Sequence, residues 1–314
     1  MKRGLIAWDQ AELPRAAFEA RLDLVRRKLA EKDPPALVVH TDIWKSNQGR
    51  FFSNVMQYWN RALLVIPREG SPILLCGLSP RVYPWIRSVT ILEDIRPGAN
   101  LAKALLQLCS ERNWNWVGAL DFLQFPHDLH AQLSGIAIDV PSGELPQRPD
   151  SWELAMYRTA AGMARSILEE AMPGGLGLTD FQFTGNLERR FRLAGAEDLV
   201  ILLTNGQTVP VPAKGVRLEA GFSVAVAIEY RGHWVKLARS TGSAAHRFEE
   251  ALRGASEVAT IVENLSGPYP YQSCELFDLR SGSLFAMHVE SRENGRRSFY
   301  GDTCLKTLNG AELL

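Results

Sequence analysis

The chain has 314 residues, 46% of them hydrophobic, enough for two domains that each bury a core. Its Lys and Arg equal its Asp and Glu in number, so the net charge is zero. Arg26-Arg27-Lys28, Arg189-Arg190-Phe191-Arg192 and Arg296-Arg297 each have acids nearby and read as solvated faces, which excludes an extended nucleic-acid surface. No segment reaches the roughly 20 apolar residues of a membrane span, and MKRGLIAWDQAELP holds too short an apolar run for a secretory leader. A soluble, cytoplasmic protein is expected. Cys76, Cys109, Cys274 and Cys304 are widely spaced, form no CxxC pair and read as buried free thiols in a reducing compartment.

In chain order, Phe18, Leu22, Val25 and Leu29 recur at helical spacing, and a strand at Ala36–His40 follows the Pro34-Pro35 break. Ala62–Ile66 and Pro72–Cys76 form a hairpin around Arg68-Glu69-Gly70-Ser71. A helix at Leu101–Arg112, a strand at Trp116–Leu120, a short helix at Asp128–Leu133 and a strand at Ile136–Val140 complete a mixed sheet flanked by helices. Pro141–Pro149 reads as a linker, so the domains are 1–143 and 144–314. Ser151–Ala171 is an amphipathic helix with Trp152, Met156, Met163 and Ile167 on its apolar side. After the breaker Pro173-Gly174-Gly175-Leu176-Gly177, Thr179 and Gln182 fit a capping box, which starts a second helix running to about Leu193. Those glycines are not a phosphate loop, since no strand leads into them and no Lys-Ser/Thr follows. A strand at Leu199–Leu203 then precedes the turn signal Asn205-Gly206.

Gly221–Thr241 reads as two alternating strands joined at Tyr230-Arg231-Gly232. Ala225, Ala227 and Glu229 share one face of the first strand, and Val224, Val226 and Ile228 share the other. On the returning strand Trp234, Lys236 and Ala238 lie on one side. A hard divalent ion needs oxygen or imidazole ligands; Ala225 supplies neither and Lys236 repels it.

This hairpin resembles that of the pita-bread family of creatinase, prolidase and aminopeptidase P. Aligned through Gly232 and Ala238-Arg239-Ser240, the two aspartate ligands of its first and second strands fall on Ala225 and Lys236. Glu153-Leu-Ala-Met-Tyr-Arg158, Gly177-Leu-Thr-Asp180 and Ala194-Gly-Ala-Glu-Asp198 resemble the opening of the same catalytic domain. Gly282-Ser-Leu-Phe-Ala-Met-His288 is similar to the strand Gly-Met-Val-Phe-Thr-Ile-Glu, which puts His288 at a glutamate position. Tyr300-Gly301-Asp302-Thr303 and Asn309-Gly310-Ala311-Glu312-Leu313-Leu314 resemble the closing signature, with Gly301 at the last glutamate position. Residues 16–140 are similar in order to the creatinase N-terminal domain. The stretch from Thr241 to Gly282 is too short for the usual two helices and histidine-bearing strand, and no Gly-His-Gly-Ile-Gly occurs. The resemblance implies an α+β fold, a creatinase-type mixed α/β domain followed by a truncated pita-bread domain. It also implies that five ligand positions are substituted or deleted, with no metal and no other cofactor.

Creatinase works on this fold without metal, so the resemblance leaves catalysis open. Its histidine upstream of the hairpin has no counterpart in Thr208-Val-Pro-Val-Pro-Ala213, and its second-strand glutamate falls on Ala238. The expected catalytic set is His288, Lys236, Glu290 and Glu229. Ala286, His288 and Glu290 share a strand face by period two. An imidazole of ordinary pKa serves as acid or base near neutrality, and a desolvated lysine serves as nucleophile or base. The plainer alternatives are a hydrogen-bonded core histidine and a lysine paired with Glu290 or Glu229 in the vacated charge site. Gln57-Tyr58-Trp59-Asn60-Arg61 resembles the creatinase segment that reaches the partner subunit's site, so Arg61 is a candidate carboxylate grip, Trp59 a stacking wall, and a homodimer is implied. Here the alternative is a surface ion pair. Asn205, His233 and Trp234 complete the candidate binding set. His127 and His130, spaced i, i+3 around Asp128, read as a surface helix start rather than a metal site. Two functions follow. One is a metal-independent, creatinase-like enzyme acting on a small nitrogenous carboxylic acid by C–N hydrolysis, elimination or cyclisation. The other is a pseudoenzyme kept as a metabolite-binding or partner-binding scaffold, whose old site would be filled by Trp234, Phe285 or Met287.

Overall fold

A computed structural model describes residues 7–57, 59–144, 149–241, 244–252, 260–263, 265 and 281–314. Tyr58 and Cys274 lie outside them, as does most of the stretch between residues 252 and 281. The chain divides into two compact units, Lys2–Gln147 and Arg148–Leu314.

The N-terminal unit runs α1 (Arg15–Lys32), β1 (Ala36–Thr41), α2 (Asn47–Ser53), β2 (Ala62–Pro67), β3 (Ile73–Cys76), α3 (Tyr83–Val89), β4 (Asp94–Pro97), α4 (Leu101–Glu111), β5 (Val117–Leu120), α5 (His127–Leu133) and β6 (Ala137–Val140). Its six-stranded mixed sheet has the order β4-β3-β2-β1-β5-β6. Every residue of β1 and β2 is buried, which is why Ala36–Val39 and Ala62–Ile66 read as apolar runs without alternation. α2, α3 and β4 are short and carry weak periodic signals, and the sequence reading passes over them.

The C-terminal unit opens with α6 (Ser151–Ala171), whose N-cap Asp150 accepts a hydrogen bond from Glu153 N. Its buried stripe is Met156, Ala160, Ala161, Ala164 and Leu168, while Met163 and Ile167 are only partly buried. Small residues there carry the helix close to the sheet, a contact that large apolar residues alone would not reveal. α7 (Asp180–Leu193) begins at the expected capping box, with Thr179 and Gln182 each satisfying the other's backbone donor. Thr179→Ala is expected to cost about 1 kcal/mol, read as a shift in the urea midpoint at unchanged slope.

The strands are β7 (Asp198–Thr204), β8 (Ser223–Tyr230), β9 (His233–Ser240), β10 (Thr260–Glu263), β11 (Leu284–Glu293), β12 (Arg296–Thr307) and β13 (Gly310–Leu313), with α8 (Ala244–Leu252) between β9 and β10. They form one sheet of order β10-β11-β12-β9-β8-β7, with β13 paired to β12. Among the described residues, the stretch from Thr241 to Gly282 holds α8 and β10, and β10 contains no histidine. β8 and β9 turn through Arg231 and Gly232, both at positive φ, a two-residue type I′ geometry matching the twist of the strands. β11 and β12 turn the same way through Asn294 and Gly295.

Antiparallel partners share a face, so the register sorts the sheet into two sides. On one side Val224, Val226, Ile228, Val235 and Leu237 pack against Phe183, Leu187, Phe191 and the small-residue stripe of α6. Phe285, Met287, Val289 and Cys304 pack on the same side against Phe248 of α8. The other side carries the candidate chemistry.

Candidate active site

One row of register crosses the central strands on the face away from the helices: Leu202 on β7, Ala225 on β8, Ala238 on β9, Gly301 on β12 and His288 on β11. Its middle is a trough of three small residues. Phe299 packs into it against Ala225, Ala238 and Leu202. One step along, Lys236 stands opposite Ala227, and Thr303 fixes its backbone: Thr303 Oγ1 accepts from Lys236 N at 2.9 Å and donates to Lys236 O at 3.1 Å. A further step brings Glu229 opposite Trp234 and diagonal to Lys236, within reach of a long side chain. Glu229 and His288 are fully buried and Lys236 is 4% exposed. Three of the four expected catalytic side chains are thus buried on one face.

The His288 ring lies over Gly301. A Cβ built at Gly301 would stand 2.2 Å from His288 Nδ1 and 2.8 Å from its Cγ. Burial, then the nearby charges of Lys236 and Arg239, push its pKa down to about 3. The imidazole is neutral at physiological pH. An ordinary histidine pKa near neutrality is therefore corrected: His288 can hydrogen-bond or relay a proton, but it does not carry a resident charge.

Glu290 shares the face but is committed elsewhere. Arg297 holds it with Nε at 2.8 Å and Nη2 at 2.6 Å, and Arg292 Nε adds a contact at 2.7 Å. These hydrogen bonds, Arg297's first, keep its carboxyl below the usual range. His233 lies on the opposite face under α6, with Nε2 3.5 Å from Glu153 and its ring edge-on to Tyr157. A role facing the site is corrected, because Tyr230↔His233 pairing turns it into the core. Both ends of the Asn205 amide are used by backbone: Nδ2 donates to Arg217 O and Oδ1 accepts from Glu219 N. In the N-terminal unit Trp59 is 65% exposed, and Arg61 grips Asp128 bidentately at 2.6 and 2.8 Å. That pairing raises the Arg61 pKa and lowers that of Asp128. His130 stacks on Phe122.

A buried ion cluster on the helix side escapes the sequence reading. Asp302 accepts from Arg165 Nε and Nη2, both at 3.1 Å, and from Arg239 Nη2 at 2.8 Å. Arg239 Nη1 also donates to Gly301 O at 2.7 Å, which ties the cluster to the strand beneath His288. Arg239 lies in the Ala238-Arg239-Ser240 stretch and Asp302 in Tyr300-Gly301-Asp302-Thr303, whereas Arg165 carries no local signal at all.

Metal ligation does not fit the row. Within it Ala225, Ala238 and Gly301 offer no side-chain donor atom and His288 alone presents one, and one step along Lys236 brings a cation. Among the described residues no group of three His, Cys, Asp or Glu could hold an ion. No helix among them is long and apolar enough to cross a membrane.

No family model and no curated protein matches the chain. Solved structures do. The X-Pro aminopeptidase of Thermotoga maritima superposes with a TM-score of 0.72 at 14% identity, covering 93% of this chain and 96% of that one. The prolidase of Pyrococcus horikoshii gives 0.70 at 12% identity, covering 94% and 97%. A His243Ala variant of Escherichia coli aminopeptidase P gives 0.65 at 12%, covering 95% and 94%. With two sheets, helices on one side of the second, and likeness over nearly the whole of each chain, this is the α+β pita-bread fold.

Proposed function

We propose that the chain is a metal-independent enzyme of creatinase type, acting on a small nitrogenous carboxylic acid by C–N bond hydrolysis or a related elimination or cyclisation. The observation that carries this reading is the buried grouping of Lys236, His288 and Glu229 on the face away from the helices. A fixed cation in a water-poor site stabilises negative charge developing on a carbonyl or amidine substrate. Neutral His288 presents one ring nitrogen, as donor or acceptor, to the reacting nitrogen, and Glu229 balances Lys236. The substrate carboxylate goes to Arg61 and Trp59 of a second copy in a homodimer, where it competes with Asp128 for the guanidinium.

A second reading is favoured by one observation. Phe299 packs against Ala225 and Ala238, so the trough is already filled. Phe285 and Met287 do not fill it, since they face α8. A closed trough suits a scaffold that binds a partner without turning it over.

The test incubates chelator-treated protein with guanidino and amide carboxylic acids, creatine among them, and follows release of urea or ammonia. Turnover is expected without metal, and Lys236→Met and His288→Asn are each expected to reduce it by roughly 100-fold or more. Arg61→Ala is expected to raise KM more than it lowers kcat. Stoichiometric metal by elemental analysis, or full activity in both site variants, would sink the first reading. Substrate binding without turnover would establish the second.

A further inference from the structure

We infer that Gly301 is a positioning residue for His288: the ring lies on the bare backbone of β12, and the absence of a side chain at position 301 fixes which imidazole nitrogen faces the site. The inference rests on the reading of His288 as a working group of the proposed enzyme.

Two requirements place glycine inside a strand, a backbone conformation or a close approach. Gly301 is not among the residues of positive φ, so its backbone admits any side chain. Space is what excludes one. A Cβ there would meet His288 Nδ1 at 2.2 Å, Met287 O at 2.7 Å and His288 Cγ at 2.8 Å, all inside the 3.0 Å that real Cβ atoms respect. Two of these three atoms belong to the ring, and the third belongs to the neighbouring backbone of its own strand. The ring is therefore the main occupant of the volume that position 301 gives up.

The surroundings turn this contact into an orientation. His288 and Gly301 are direct cross-strand partners. Phe299 and Thr303, both fully buried, stand two residues to either side of Gly301 on the same face and close the ends of the slot. Arg239 holds the slot floor by its bond to Gly301 O. With Nδ1 turned onto that floor, Nε2 points away from the β12 backbone. A methyl group at position 301 would push the ring out of the slot and release the choice of nitrogen.

Four full-length proteins test this: wild type, Gly301→Ala, His288→Ala and the double variant, compared by thermal midpoint and by long-range proton–nitrogen NMR of the His288 ring. Gly301→Ala alone is expected to lower the midpoint by several degrees. Added to His288→Ala it is expected to lower it much less, because the ring is gone and only the Met287 carbonyl still opposes the methyl group. The wild-type ring is expected to show one tautomer without titrating between about pH 5 and 8, whereas in Gly301→Ala its nitrogen shifts move and become pH-dependent. Additive effects of the two substitutions, or unchanged ring shifts in Gly301→Ala, overturn the inference. If Gly301→Ala does not fold, recovery of folding in the double variant supports the pairing, and failure of both overturns it. Coupling without turnover in any protein leaves the pair standing and removes the enzymatic reading; turnover with additive effects does the reverse.

Discussion

Asp302→Ala is expected to destabilise the C-terminal unit by about 3–5 kcal/mol, the usual consequence of removing one partner from a buried ion pair. Asp302 is the carboxylate between Arg165 and Arg239, and the Asp302 and Arg239 side chains are 2% and 5% exposed. Without it, Arg239 keeps its carbonyl contacts and its stacking over Tyr300, but its nearest remaining carboxylate is half-exposed Glu169 at 3.6 Å. The loss should appear in urea unfolding as a lower midpoint at unchanged slope. Asp302→Leu combined with Arg239→Met should recover much of it, since an apolar pair carries no desolvation penalty. A loss within a few tenths of a kcal/mol, as at an exposed pair, would mean that the cluster is solvated and contributes little.

The pH dependence of stability should carry a signature of His288. Its pKa falls from the ordinary 6.5 to about 3 in the folded chain, because burial and then Lys236 and Arg239 oppose the imidazolium. Between those values the unfolded chain holds a proton that the folded one does not, so stability rises with pH across this window. The contribution is complete above about pH 6.5 and lost as pH falls toward 3, with a ceiling of about 5 kcal/mol. Carboxylates such as Glu290 and Asp128, held below their usual range, add acid sensitivity of the same sign at lower pH. Subtracting the curve of His288→Asn from that of wild type isolates the histidine. Parallel curves would show that His288 titrates as an exposed residue and that the buried face is wet.

The hairpin was the most legible part of the chain. Strict alternation in Val224–Glu229 separates a helix-packed face from an opposite one, and the Arg231-Gly232 turn fixes the register that brings Lys236 opposite Ala227. Period two likewise puts His288 and Glu290 on one face of β11. It is silent on what that face meets across the sheet. The same alternation that selects His288 selects Glu290, yet Arg292 and Arg297 claim the glutamate, and only pairing with β12 brings Arg297 beside it. His233 shows the opposite failure: it adjoins Trp234 in sequence, and a single residue step turns it to the helix side. Arg165 is silent in the sequence because its partner lies 137 positions away, and no local pattern encodes such a contact.

The two long hairpins, β8–β9 and β11–β12, close through near-neighbour pairings, whereas the seam between β9 and β12 joins residues 238 and 301. Pairings of high sequence separation must bear their loop-closure entropy before they gain contacts, so they form late. Lys236 lies on one side of that seam and His288 on the other. Each hairpin can assemble with half of the candidate site in place, and the full grouping comes into being only when the seam zips. Competence for any chemistry on this face is therefore among the last properties the folding chain acquires, and a lesion at the seam would be felt as slow maturation before it is felt as weakened catalysis.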